Sequence, residues 1–207
     1  MHSRAGRTSQ CGAALLLALL LIAFLGAATA ALAPLAAVER AMSAAAREAA
    51  ECRYAAQAIV VYAITELQVR DSWDSALDGT HPSAVVDTTR VPTLAGPRQL
   101  DLEGLGASIP PPTPGAWGAD RPVWTLFAWG PARALARGML DSSVYVAVWA
   151  ADDEGDGDGN PFRDSNGRVM LRGEAFGPLR GRRSVLAVVG RAAPAPASLR
   201  LLDWRLQ

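Results

Sequence analysis

Residues 13–33 form one uncharged, almost wholly apolar run, entered from the short leader MHSRAGRTSQCG with its Arg4 and Arg7 and closed by Pro34. A run of this length can cross the hydrocarbon core of a bilayer as a helix. The chain is therefore expected to begin in a membrane, and its other segments must fold around that constraint. Three uses of the run are open. A secretory signal peptide would take Arg4 and Arg7 as its basic region, residues 15–25 as its apolar region and Ala28-Thr29-Ala30 as its small-residue cleavage site. A plain anchor needs only the length and the basic flank, which keeps the N-terminus cytoplasmic. A leader cut on the cytoplasmic side would instead end at Gly12 and leave the apolar run at the new N-terminus. Lipoprotein processing does not fit, because Cys11 precedes the apolar run.

Beyond Pro34 the pattern changes from uniformly apolar to amphipathic. Val38, Met42, Ala45, Ala49, Cys52, Ala56, Ile59 and Ala63 recur at alternating steps of four and three, the seam of a helix with one buried face. Glu39, Arg40, Arg47, Glu48, Glu51 and Arg53 fall mostly off the seam, and the many alanines favour helix. The expectation is one long helix over residues 13–70, transmembrane and then amphipathic. A coiled-coil or bundle helix would show the same periodicity.

The remaining length suffices for one modest domain in a chain of 207 residues. Twenty basic residues, all arginine, balance twenty acidic ones. That balance argues against nucleic-acid binding, which needs a concentrated basic surface. Residues 71–120 read as a variable connection rich in turn signals: Asp78-Gly79, His81-Pro82, Gly96-Pro97 and the proline cluster at 110–115. A short piece near residues 84–88 is a candidate for strand pairing. Strand signals then dominate at 123–129, 143–150, 168–176, 184–191 and 199–206. In the second, Val144, Val146 and Val148 alternate with Tyr145, Ala147 and Trp149. Residues 121–207 should form an antiparallel sheet on the preceding helix, an α+β domain.

Between two of these strands lies the acidic loop 151–167. Asp152, Asp153, Asp156, Asp158, Asn160 and Asp164 alternate with glycines, so a tightly turning backbone can aim several oxygens at a hard cation such as Ca²⁺. Asp156, Asp158 and Asn160 have the opening spacing of an EF-hand. Pro161 at the turn-glycine position and Gly167 at the closing position rule that motif out. The other reading is a solvated hairpin loop whose Asp, Asn and Gly serve turn geometry. Catalytic signals are weak. His2 and His81 form no zinc spacing, and neither a nucleophile elbow nor a phosphate-binding glycine loop is present. Ser142-Ser143 beside Asp141 reads as a turn entering a strand. No enzymatic activity and no small-molecule substrate are expected. Cys52 sits on the helix seam, where a free cysteine behaves as a small hydrophobe.

The basic leader ending in Gly12, the apolar helix opening at Ala13 and the proline at mature position 22, Pro34, together resemble the type IV pilin and type II secretion pseudopilin superfamily. Within it, the chain resembles minor pilins with a PilX-type N-terminus. The polar strand 174–178, the arginines 180–183 leading into an apolar strand, and the closing Leu201-Leu202-Asp203-Trp204-Arg205 resemble the C-terminal sheet of that group. One departure is Leu17, which stands where the family usually carries glutamate at the fifth mature position. The gap argues against a major, polymer-forming subunit. The resemblance implies cleavage between Gly12 and Ala13 by prepilin peptidase, methylation of the new amine and a helix bent at Pro34. It implies a single-pass inner-membrane location in contact with membrane lipid, with the sheet domain in the periplasm, possible incorporation in a pilus, and assembly initiation or a place at the tip as the role. Its partners would be sister pilin or pseudopilin subunits and the inner-membrane assembly platform. Ca²⁺ in the acidic loop would also suit the family. The alternative is a secreted or anchored periplasmic Ca²⁺-binding module unrelated to pili.

Overall fold

The computed structural model describes residues 8–89, 91–94, 99–111, 121–136, 138–192 and 198–207. The leader residues 1–7, the Gly96-Pro97 turn and residues 112–120 of the proline-rich connection lie outside these. The chain divides into two compact units, the first ending at Ala46 and the second spanning Arg47–Gln207. A single α-helix, α1, runs Thr8–Gln68 and carries Pro34 inside it. Gly12 and Ala13 are both within this helix. Proline has no N–H to give to the preceding turn, so one helical bond is missing at residue 34. In the first unit the apolar side chains face outward: Leu16, Leu20 and Phe24 are each more than 60% exposed. Exposed leucines in such numbers are stable in lipid and unstable in water.

In the second unit the helix becomes one-sided. Cys52, Ala56, Ile59 and Ala63 of the expected seam are fully buried, joined by Ala55, Val60 and Leu67. Val38 and Met42, on the earlier turns of the same seam, are more than half exposed. The buried face lies on a five-stranded antiparallel sheet whose spatial order follows the chain: β1 Thr125–Pro131, β2 Tyr145–Asp152, β3 Arg168–Phe176, β4 Arg182–Ala192 and β5 Ser198–Leu206. Every neighbouring pair is a hairpin or simple return, the topology that short connections favour. The β3 bounds match the expected ones. The first two strands begin two residues later than expected, and β4 begins two residues earlier.

The alternation within β2 divides as the side chains demand. Val144, Val146 and Val148 join the core under α1, with Phe127, Leu171, Val185 and Val189. Tyr145, Ala147 and Trp149 join a second core on the outer face, with Trp124, Met170 and Phe176. Residues of the 71–120 stretch complete both cores. Trp73 and Leu77, on and beside the short helix α2 Asp74–Leu77, are buried under the first; Leu100 and Leu102, at the start of α3 Leu102–Ala107, are buried under the second. Asp101 caps α3 by accepting from the Gly104 N–H at 3.0 Å, the usual role of an acid at that position. Residues 83–87 run along the outer side of β1. Trp129 N–H donates to Val85 O at 3.0 Å and Asp87 N–H to Trp129 O at 2.9 Å, with one parallel bridge between Val86 and Trp129.

Three features, one a close approach and two polar, fix the helix to the sheet. Gly173 lets α1 come close: a Cβ there would stand 2.3 Å from Val60 Cγ2 and 3.0 Å from Ala56 O. Glu48, almost fully buried, accepts the backbone N–H groups of Leu179 and Gly181 in the β3–β4 turn. Arg191 lies over the Trp73 ring, 4.4 Å from its centroid, and donates to the carbonyls of Arg70 and Asp71 just past the C-terminus of α1. Those carbonyls lie beyond the last helical residue, and a cation there also faces the negative end of the helix dipole.

Candidate functional site

The β2–β3 connection holds the chemistry. Asp152, the last residue of β2, is fully buried, and Asp156 is 1% exposed, while Asp158 lies at the surface. One carboxylate oxygen from each can be chosen so that all three lie within 4.8 Å of one another. Three carboxylates so close repel unless protons or a cation intervene. The loop reverses direction at Gly159 and Gly167, with φ of 77° and 75°, values that glycine adopts without strain.

Each acid is held by the loop itself. Asp156 accepts from the Ser165 hydroxyl and from the Ser165 and Asn166 N–H groups. Burial raises its pKa, but those bonds, with one from the Asp158 backbone, outweigh burial and hold it below the usual carboxylate value. Asp152 receives much less. Its Oδ1 accepts the Asp153 N–H at 2.9 Å, and its Oδ2 is buried with no hydrogen-bond partner. Burial pushes its carboxyl up to about 7; the Asp153 N–H lowers it, and the charges of Asp156, Asp153 and Asp164 add to the rise. An ionised carboxylate this deep needs a partner, and without one it takes up a proton instead. The orphaned oxygen beside two further carboxylates is the arrangement into which a cation fits.

The other expected ligands hold the loop's shape. Asp153 accepts from Asn166 Nδ2 at 2.7 Å and from the Gly155 N–H at 3.1 Å. Asn160 accepts the Phe162 N–H at 3.1 Å. Asp164 accepts from Gly167 and Arg168 at 2.7 and 3.1 Å, while its own N–H donates to Asp74 Oδ1 at 2.9 Å. Burial raises the Asp164 carboxyl despite the two N–H bonds and the nearby Arg191. Ser165, Asn166 and Asp74 are thus structural members of the site that sequence reasoning did not single out. Asp74 is 90 residues from its partner, and no local pattern marks such a pairing.

What the group can do follows from its donors. Asp152, Asp156 and Asp158 offer only oxygen, the donor set of a hard divalent cation. Among the described residues, neither histidine nor cysteine joins them. No protein-family model, no curated protein and no solved structure matches this chain. A hollow of about 820 Å³ lies nearby, lined by Trp124, Trp149, Glu103, Arg121 and Pro161. Its rim, at Pro111 and Arg121, adjoins residues outside the described set, and no site is assigned to it.

Proposed function

We propose that this chain is a membrane-anchored subunit of an envelope filament, a minor pilin or pseudopilin of a type IV pilus or type II secretion machine. The observation that carries the reading is the single helix Thr8–Gln68. Its apolar residues 13–33 face outward, while from Glu48 onward one face of it is buried on an antiparallel sheet. Such a helix has two solvents, lipid for one part and its own sheet for the other. Removal of the leader after Gly12 leaves Ala13 as the N-terminus in the membrane, and the sheet domain belongs in the periplasm. Leu17 offers no carboxylate to pair with the amine of a neighbouring subunit, which suits a place at the tip or in initiation. Sister subunits, an inner-membrane platform and prepilin peptidase are the partners of this reading. The mature N-terminus, determined by mass spectrometry on protein from its native envelope, tests it. Ala13, N-methylated, is expected; Ala31 or an intact Met1 would sink the reading.

The cation of the acidic loop is Ca²⁺ in this proposal, because an all-oxygen site on an irregular glycine-rich loop suits its large, variable coordination shell better than the octahedron of Mg²⁺. Binding to the native chain alone stabilises by linkage. After EDTA treatment, added CaCl₂ should raise Tm by several degrees, and Asp156→Asn should abolish most of that rise. Equal stabilisation by Mg²⁺, or none by either ion, would overturn the assignment. A secreted Ca²⁺-binding module is the second reading, favoured by the same three carboxylates. Cleavage after Ala30 would single it out.

A further inference from the structure

The two edges of the sheet differ. The outer side of β1 is occupied by residues 83–87, whereas among the described residues nothing pairs with the outer side of β5. An unpaired edge is a template for another strand unless it is blocked. The register shows which backbone groups are free. Gln207 and Ser184 exchange both N–H···O bonds, so in an antiparallel ladder Arg205 opposite Leu186 and Asp203 opposite Val188 also face inward. Trp204 and Leu206, opposite Ala187 and Val185, turn their N–H and C=O groups outward. At rest the Trp204 N–H is held by the Asp203 carboxylate at 2.8 Å, whose other oxygen pairs with Arg205 Nε at 2.7 Å. The Leu206 N–H has no such cover. An irregularity in register between Val188 and Val189 leaves Leu202 without an opposite residue, so the regular edge is the half from Asp203 to Leu206.

The side chains on this edge are sorted by face. Toward α1, Leu201 and Leu206 are more than half exposed beside half-buried Trp204. Val61 on the helix is also more than half exposed. On the other face, β5 carries Arg200 and Arg205 against Asp203 alone, and β3 adds Arg168 opposite Gly190. One side of the free edge is apolar apart from Arg53 and Arg183 beside Leu206, and the other is net positive.

We propose that the edge of β5 accepts an extended segment of a partner protein as a sixth strand. The segment carries apolar side chains toward the α1 face and acidic ones toward Arg200 and Arg205. Its carbonyls take the outward N–H groups, and its carboxylate replaces Asp203 on the Arg205 guanidinium. Backbone pairing supplies affinity in this mode and the alternating side chains supply selectivity. The inference stands apart from the cation and from the filament reading, since it uses only the register and the charges of the sheet.

The test uses the full chain in detergent and two labelled synthetic peptides, one alternating valine with glutamate and one alternating valine with lysine. Fluorescence anisotropy should show saturable binding of the first and at least about tenfold weaker binding of the second. Leu206→Pro removes one outward N–H while sparing the ladder to β4, since proline is tolerated at sheet edges. It should weaken binding about tenfold or more, whereas Leu206→Ala, which keeps the N–H, should change it by less than about threefold. Hydrogen exchange on the unmutated chain provides a second readout: the Leu206 amide should exchange fast alone and slowly with the glutamate peptide. Absence of saturable binding, equal loss in the two Leu206 variants, or an unprotected Leu206 amide would each overturn the proposal. So would a concentration-dependent dimer that Leu206→Pro abolishes, because the occupant would then be a second copy of this chain.

Discussion

At the scale of single residues, burial decides chemistry more than residue type does. Cys52 is a potential nucleophile that the fold silences. Burial first, then the charges of Glu48 and Glu51, push its thiol from the ordinary value up to about 11. Because the neutral thiol is favoured, reactivity should rise about tenfold per pH unit and stay low at pH 8, where on the order of 10⁻³ of the group is thiolate. Iodoacetamide should leave Cys52 unmodified in the native chain at pH 8 and modify it within minutes in denaturant, as mass spectrometry of the tryptic peptides would report. Rapid native labelling would mean that the helix leaves the sheet far more often than its packing implies. Glu174 shows the opposite use of burial. It is fully buried, yet its two oxygens pair with Arg172 Nε at 2.8 Å and Arg182 Nη2 at 2.6 Å, so its charge is answered from both sides.

At the scale of elements, the contact between α1 and β3 depends on one missing side chain. At Gly173 the helix backbone and Val60 occupy the space that a Cβ would need. Neither a helix carbonyl nor a β-branched core residue can move aside cheaply. Gly173→Val should therefore cost at least the 1–3 kcal/mol or so typical of overpacking, measured as a fall in the urea midpoint at unchanged slope. Stability equal to the parent would show that the helix is free to lift from the sheet at that point. The acidic loop is an element of the same kind, a shape held by specific bonds. Its link from Asp164 to Asp74 and the Arg191 contacts to Trp73 and the end of α1 join the loop, α2 and the helix terminus into one assembly.

At the scale of the whole molecule, the folded core belongs to the second unit. Every core residue of α1 lies at Cys52 or beyond, and Glu48 begins the contacts with the β3–β4 turn. A fragment beginning at Glu39 should therefore fold in water without detergent, with a Tm within a few degrees of the full chain in detergent. Aggregation or a molten near-ultraviolet spectrum would show that residues before Glu39 contribute to the core. The sequence by itself determined the parts of this protein that depend on local periodicity: the apolar run, the seam from Cys52 to Ala63, the strand at 168–176 and the alternating faces of β2. Steps of four and three, and steps of two, are properties of backbone geometry and need no knowledge of the partner surface. It also located the acidic loop, because carboxylates alternating with glycine are conspicuous in any context. Tertiary structure alone decided which acids converge. Asp152 is buried at the end of β2, which is flanked by β1 and β3, Asp156 is held by Ser165 across the loop, and Asp74 reaches the loop from another element. It alone decided that the 71–120 stretch supplies Trp73, Leu100 and Leu102 to the two cores, and that β1 is covered while β5 has no outer neighbour among the described residues. Those outcomes come from contacts between segments distant in sequence, whose energies no local pattern encodes.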